Sequence, residues 1–394
     1  LQADLLNWHP KLGLAAALHE AQHPVAKEGR AADHAFGVLY QAPWELPGDG
    51  FSEHARRCAL ALWKAGCPVH LRSSRPRIAE LDPGIEARCA PVTRASIARY
   101  SFEVHQLVPT PGLLQRMVHH RALTQEQLRH VNACRIVSTV WERSPAPADD
   151  VAACNAVAEV WVACRQNAAM LRASGVTTPI HVVPIPHASD DPLLALRQKK
   201  RQPGPPRFYH IGKWEPRKAP KEILGAFLLA FRPGEAVFIL KTSAASPPYH
   251  DYPQTAGGAL TAWLDDERVQ VNGWTAENVP KSIFITARNI PEAQLLDLHR
   301  VGDVYVTLSR GEGFDMPAYD AKIAGNLMVY TPSGGPQDFA ASNDVEVPRT
   351  GEIPTHPFYG WSPDARYLDF SIEEAASRLR FAAERVRRGE RGVR

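Results

Sequence analysis

Short apolar runs alternate with helical stretches along this chain, and the alternation occurs twice. In the first half, "HAFGVLYQA" (34–42), "PVHLRS" (68–73), "YSFEVHQLVP" (100–109), "CRIVSTVW" (134–141), "EVWVAC" (159–164) and "IHVVPIP" (180–186) read as strands. "SEHARRCALALWKAG" (52–66) and "QNAAMLRASG" (166–175) have helical spacing between them, the former opening on a Ser and stopping on Gly66. Strands alternating with helices give a mostly parallel sheet covered on both faces. The stretch "HASDDPLLALRQKKRQPGPPR" (187–207) then interrupts the pattern. It is polar, basic and proline-rich, the composition of an interdomain linker.

The alternation restarts with strands at "FYHIG" (208–212), "AVFILKT" (236–242), "VQVNG" (269–273), "SIFITA" (282–287), "DVYVTLS" (303–309) and "LMVYT" (327–331). Helices fall at 221–231, at 291–302, from Pro317, and at 371–390. A chain of 394 residues is too long for one ordinary core and suits two. The expected domains are 1–190, which includes an accessory N-terminal helix, and 205–370. A helix in 371–394 is expected to cross back to the first domain. In open parallel sheets, ligands sit beyond the carboxyl ends of the strands, so the cleft between two such domains is the expected site.

Composition narrows the class. With 44% hydrophobic and 22% charged residues the chain reads as a soluble globular protein. A net charge of +3 is too small to indicate nucleic acid by itself. Two basic runs, "RQKKRQ" (197–202) and "RVRRGERGVR" (385–394), read as solvated linker or helix ends. The six cysteines form no C-x-x-C pair and several lie in apolar runs, which suits buried free thiols in a reducing cytoplasm. No run approaches the roughly 20 apolar residues that span a bilayer. The start lacks the charged region of a signal peptide.

The segment "SRGEGFDMPAYDAKIAG" (309–325) carries the chemistry. Glu312 sits between two glycines just after a strand, hence at a carboxyl end. Gly311 and Gly313 remove side chains there, which lets a ligand approach the backbone. Pro317 suits the first position of a helix, placing Asp320 on its first turn, where free N–H groups favour an anion. Two acids bracketing such a turn fit a polyhydroxyl ligand that carries a phosphate. Lys213 and Lys218 follow the strand "FYHIG", again at a carboxyl end, where cations can stabilise a leaving diphosphate. Arg217 and Lys221 read as surface residues. In "LPGDGFSEH" (46–54), Gly48 and Gly50 permit a backbone nest over a phosphate or acceptor. Glu142 ends another strand, facing the cleft, as a ligand for acceptor hydroxyls or as a structural cap.

"EGFDMPAYDAKIAG" resembles the E-x7-E motif of the retaining glycosyltransferases of family four, written E-G-F-G-x-P-x-x-E-A-x-A-x-G. Glu312 matches the first acid and Asp320 the second. "HIGKWEPRKAPKEILGAF" (210–227) resembles that family's phosphate-binding segment, with Lys213 and Lys218 at its basic positions. "EVWVACRQNAAMLRASGV" (159–176), "IHVVPIP" and "TVWERSPAP" (139–147) resemble further segments in the family's order. The resemblance implies the GT-B fold, an α/β architecture of two Rossmann-like domains facing a cleft. It also implies a retaining, metal-independent hexosyl transfer from a nucleotide diphosphate sugar, most often of uridine diphosphate, to an acceptor hydroxyl. Glu312 would contact the donor sugar and Asp320 the ribose, with Gly313 and Phe314 beside the donor. His105 in "FEVHQLV" resembles the strand-end histidine that touches the reacting centre, although a satisfied core histidine fits its position as well. Three departures stand out: Asp320 is one methylene shorter than the usual glutamate, Ala219 replaces the glycine after Lys218, and "VVPIPHA" lacks the usual Asn-Gly. Alternatives are a nucleotide-sugar epimerase, a nucleotide-sugar-binding protein with a decayed site, or transfer to a modified nucleic-acid base.

Overall fold

The computed structural model describes residues 33–34, 36–74, 81–97, 100–106, 134–188, 191–243, 252–356 and 363–392. The expected accessory helix lies outside them. The chain divides into two compact units. The first takes residues up to 141, 146–163 and 167–189; the second takes 142–145, 164–166 and 190–394. The second unit is therefore not one continuous stretch, because two short pieces from the first half of the sequence pack into it.

In the first unit, strands β1 (Gly37–Ala42), β2 (Val69–Ser73), β3 (Tyr100–Gln106), β4 (Cys134–Thr139), β5 (Glu159–Val162) and β6 (Ile180–Val182) form one parallel sheet in the order β2-β1-β3-β4-β5-β6. Helices α1 (Gly50–Lys64), α2 (Pro83–Thr93), α3 (Ala148–Asn155) and α4 (Arg165–Ala173) accompany it. Asp49 starts α1, its carboxylate accepting the Ser52 N–H at 2.9 Å; such a cap is worth about 1 kcal/mol. The β-branched residues of the strands face the core, as burial on both sides of a parallel sheet requires. Tyr40 donates to Gln106 at 2.8 Å, and Gln106 donates to the Phe51 carbonyl at 2.7 Å. These bonds tie β1 and β3 to the start of α1.

The second unit repeats the design. Strands β7 (Arg207–Ile211), β8 (Val237–Lys241), β9 (Ile283–Thr286), β10 (Val304–Thr307), β11 (Leu327–Tyr330) and β12 (Val345–Glu346) lie in the order β9-β8-β7-β10-β11-β12, all parallel. Between them run α5 (Pro220–Ala230), α6 (Ala256–Leu264), α7 (Glu267–Val271), α8 (Glu292–Val301), α9 (Met316–Ile323) and α10 (Pro336–Phe339). An antiparallel ribbon of β13 (Arg349–Pro354) and β14 (Arg366–Phe370) leads into α11 (Ile372–Arg387). Phe208, Phe227, Phe231, Phe238 and Trp274 centre the core.

Three expectations change here. Residues 269–273 do not make a strand: Val269 to Val271 end α7, which starts where Asp266 accepts the Arg268 N–H at 2.9 Å. The final helix packs within the second unit, because Ala375, Ala376, Leu379, Ala382, Ala383 and Val386 form a small-residue stripe that buries in the core containing α5. The basic runs are not simply solvated. Lys199 donates to the carbonyls of His299 and Gly302 at the end of α8 and to Asn326. Arg391 donates to the carbonyls of Leu196, Arg197 and Lys199. Both cations satisfy carbonyls that a helix or turn end leaves open. All six cysteines are free thiols; five are buried and Cys134 is half-buried. Among the described residues, no helix is long and apolar enough to cross a membrane.

Candidate functional site

In the second unit the chain leaves β7 toward β8 on one side and enters β10 on the other. The crevice beyond the carboxyl ends of β7 and β10 is thus a topological switch point. The two loops that meet there carry the basic and acidic motifs. After β7 come Gly212, Lys213 and Trp214; Trp214 is buried and donates to the Pro253 carbonyl at 2.6 Å, anchoring the loop. A single 3-10 turn, Pro216–Lys218, leads to Ala219, which has φ 52 and precedes Pro220 at the first position of α5. The left-handed backbone explains why a glycine suits this position; alanine holds it at a cost of about 1 kcal/mol.

After β10 the loop 308–315 folds back. The Arg310 N–H donates to the Arg217 carbonyl at 2.8 Å, joining the two loops. A side chain at Gly311 would collide with the carbonyl of Glu142, so this glycine serves packing rather than ligand approach. A second close approach was not foreseen. Gly334, at φ 64, presses on the backbone of Glu312, while Ser333 accepts the Glu312 N–H at 3.1 Å.

These contacts bury Glu312, although its flanking glycines suggested a backbone open to a ligand. Its carboxylate pairs with Lys218, accepts Ser309 Oγ at 2.6 Å and lies 3.4 Å from Arg217. Burial alone would raise its pKa. Lys218, Arg217 and the bonds from Lys218 and Ser309 outweigh that and hold it below the usual carboxylate range. Arg217 is not a surface residue but the buried hub of the cluster. Its guanidinium reaches Glu215 at 2.6 Å, Glu142 at 3.1 Å and the Gly311 carbonyl at 2.7 Å. Burial works against its charge, but the carboxylates of Glu142, Glu215 and Glu312 prevail and raise its pKa. Lys218 is raised in the same way, against burial, by Glu312 and then Asp315. Glu142 is shifted upward, chiefly by burial. Its engagement with Arg217 makes it part of this cluster.

Asp315 is the residue the sequence reading missed. It begins α9 with φ 64, its Oδ1 accepting the Ala318 N–H at 3.4 Å and its Oδ2 accepting Thr307 Oγ1 at 2.6 Å. An Asp just before Met-Pro is a helix-start signal, so it could have been found. It stands where the family-four pattern has glycine, and its left-handed backbone is consistent with that. Helix α9 therefore starts at Met316, which moves Asp320 from the first turn to the second. The free N–H groups expected there for an anion are partly answered from within the chain.

Burial, opposed by Lys218, pushes the Asp315 carboxyl up to about 6. An acid raised on folding is destabilising when ionised. The penalty is absent below the unfolded pKa near 4, grows as pH rises toward 6, and is complete above that. Asp315→Asn keeps a cap acceptor and tolerates the left-handed backbone. It is expected to stabilise the protein at pH 7.5 by an amount on the order of 2 kcal/mol, fading toward zero at pH 4. Denaturant melts at the two pH values check this; an equal effect at both would contradict it.

The remaining predicted residues are placed as follows. Lys213 is exposed beside the crevice, and Asp320 is half-buried near the phenol of Tyr209, whose ionisation it disfavours after burial has done so. The Phe314 ring is buried against Tyr319 and Phe339, so any contact it gives a donor comes from its backbone. The Gly313 carbonyl accepts the Cys164 thiol at 3.2 Å. In the first unit, Gly48 has φ 67 in the turn before Asp49, and Gly50 is the first residue of α1. His105 is half-buried near the end of β3, 3.4 Å from the buried Glu103. Gly48, Gly50 and His105 thus border the switch point between β1 and β3. Among the described residues, no group of three or more acids, histidines or cysteines is arranged to hold a metal.

No protein-family model matches this sequence, and no curated protein does. Solved structures do. The E. coli trehalose-6-phosphate structure bound with UDP-2-fluoro glucose superposes with a TM-score of 0.55 at 10% identity, covering 88% of this chain and 91% of that one. Sucrose-phosphate synthase from Thermosynechococcus elongatus gives 0.55 at 15% identity, covering 90% and 94%. The α,α-trehalose 6-phosphate synthase of Burkholderia multivorans gives 0.54 at 11%, covering 91% and 95%. At these identities the likeness establishes the fold: two Rossmann-like α/β domains of the GT-B class.

Proposed function

We propose that this chain transfers a hexose-type sugar from a nucleotide diphosphate sugar to an acceptor hydroxyl, with retention of configuration and without a metal. One observation carries the reading. Glu312, Lys218 and Arg217, drawn from the two loops that flank the second unit's switch point, form one buried cluster at the strands' carboxyl ends. The GT-B fold and the UDP ligand named for one of its structural neighbours support it.

In this reading the donor's C1–O bond breaks and its electron pair stays on the diphosphate oxygen. The acceptor oxygen bonds to C1 on the same face, and its proton passes to the departing diphosphate. Lys213 and Lys218 offset the charge that grows on the diphosphate, which is greater in the transition state than before it. Glu312 orients the sugar hydroxyls, Asp320 accepts from the ribose, and the backbone of Gly313 and Phe314 lines the donor. In the first unit, Gly48 and Gly50 are read as donor-binding residues and His105 as a catalytic one. Glu142, held by Arg217, is an acceptor ligand only if that pairing loosens. The nucleotide is taken as uridine diphosphate and the compartment as the cytoplasm.

Thermal unfolding with a panel of nucleotide sugars tests the reading without an acceptor. UDP-sugars should raise the midpoint well above any shift given by uridine, and EDTA should change nothing. A panel that gives no shift would contradict the assignment. If Asp320 holds the ribose, Asp320→Ala should weaken donor binding by about 1.5–3 kcal/mol. The native protein should also bind 2′-deoxy donor poorly, while the variant binds both donors alike. Equal binding of the two donors by the native protein would make Asp320 a structural residue only.

A further inference from the structure

In the first unit, residues 43–49 connect the carboxyl end of β1 to α1. The buried Arg56 of α1 fixes the backbone of this loop: its Nη1 donates to the Trp44 carbonyl and, at 3.2 Å, to the Leu46 carbonyl. The Arg56 Nε donates to Glu53 at 2.7 Å. Glu53 also takes Arg57 at 3.0 Å and Arg88 at 2.7 Å, so three guanidinium groups meet on one carboxylate. The Ala42 carbonyl accepts the Trp44 N–H at 3.1 Å and the Ser74 N–H at 3.0 Å, which ties the loop to the end of β2.

Glu45 lies between the two carbonyls that Arg56 holds, and it is left out of this pairing. Only 7% of its surface is exposed. Among the described residues, none gives it a hydrogen bond or an ion pair. Withdrawing a carboxylate from water without a partner is costly, and a chain that keeps one needs a reason beyond stability. The oxygens are still within reach. Trp44 Nε1 and His54 Nδ1 nearby in the chain are sealed off without partners, whereas the Glu45 carboxylate is not sealed. Further along the loop, at Gly48, a side chain would meet nothing within 4 Å.

We infer that Glu45 is a binding residue of the first unit, accepting hydrogen bonds from the hydroxyls of an uncharged polyol. A carboxylate offers acceptors only, and its two oxygens match two neighbouring hydroxyl donors. A phosphate in the same place would meet like charge with little water to screen it. The inference rests on the proposed glycosyl transfer for the polyol being the acceptor, though not for the response of Glu45 to polyols. It gives the first unit the acceptor carboxylate that Glu142, held by Arg217, does not supply.

The test joins stability to binding. Glu45→Gln removes the charge, and Glu45→Met keeps the length while removing every polar atom. Both should melt at or above the native midpoint, because a carboxylate without a partner contributes nothing that they lose. Saturation-transfer NMR of the native protein with glucose, N-acetylglucosamine, myo-inositol and glycerol should show binding of at least one of them. That binding should weaken about tenfold or more in Glu45→Met, the scale of a lost hydrogen bond to a charged group, and less in Glu45→Gln. Glucose 6-phosphate and glycerol 3-phosphate should bind more weakly than their parent polyols. With UDP-glucose present, the same substitutions should raise the acceptor KM more than they lower kcat. Variants that both melt clearly below the native protein would make Glu45 a structural group and overturn the inference. So would folded variants that bind the polyol as the native protein does, a native preference for the phosphates, or no polyol binding at all. Glu45-dependent polyol binding by a protein that uses no UDP-sugar would uphold the inference, and it is the transferase reading that would fail.

Discussion

Glu312→Gln is expected to lower turnover by about 100- to 1,000-fold, the scale of a lost contact that matters most in the transition state. The amide keeps the shape and one acceptor but removes the charge facing Lys218 and Arg217. The burial of Glu312 adds a second effect that an open turn would not show. The variant should also lose roughly 1–3 kcal/mol of stability, because the buried Arg217 and the half-buried Lys218 share one fewer anion. That contribution belongs to a carboxylate whose pKa is lowered on folding. In the native protein it is fully present above the unfolded pKa and is lost as pH falls through the folded one. Turnover measured well below the melting midpoint separates the two effects. A folded variant with native turnover would remove Glu312 from the site.

Arg217→Ala should be the most destabilising single change in this region. It removes the guanidinium from Glu142, Glu215 and Glu312 together, and stranding a buried partner costs about 3–5 kcal/mol. The direction with pH is informative. The stranded carboxylates can be neutralised by protons, so the deficit should shrink on going from pH 7.5 to 5. Arg217→Lys should recover only part of the loss, since an ammonium cannot spread its donors over Glu215, Glu142 and the Gly311 carbonyl. Denaturant melts at both pH values provide the check. A loss under about 0.5 kcal/mol for Arg217→Ala, the scale of a surface change, would mean that the cluster is not buried as described.

Both predictions depend on a residue that could not be read from its neighbours in sequence. "WEPRKAPK" is simply polar, and nothing in it shows that Arg217 is enclosed while Lys213 stays exposed. The enclosure comes from Glu142 and from the loop 309–312, which only the folded unit brings close. The positions of the strands flanking the site, by contrast, followed from local pattern. β7 and β10 were visible as β-branched and aromatic runs ending in glycine or serine, which put Lys218 and Glu312 at carboxyl ends. The false strand at 269–273 arose because Val-Gln-Val satisfies a two-residue period as well as one short helical turn. Asp266 and Glu267 before it were the better signal. Asp315 was hidden for a different reason. The E-x7-E pattern fixes only Glu312 and Asp320, while the departure between them, Asp315, decides where the helix begins. The last helix showed a clear apolar stripe, but a stripe states that a helix packs without stating on what.

Glycosyl transfer with retention from a nucleotide sugar, as proposed above, has a direct test. Even without an acceptor, such a site should slowly release the donor's sugar to water. NMR of the first turnovers with an α-linked UDP-hexose should show the α-anomer appearing before mutarotation, with release sharply reduced in Glu312→Gln. Initial release of the β-anomer, or release that Glu312→Gln leaves unchanged, would contradict the account.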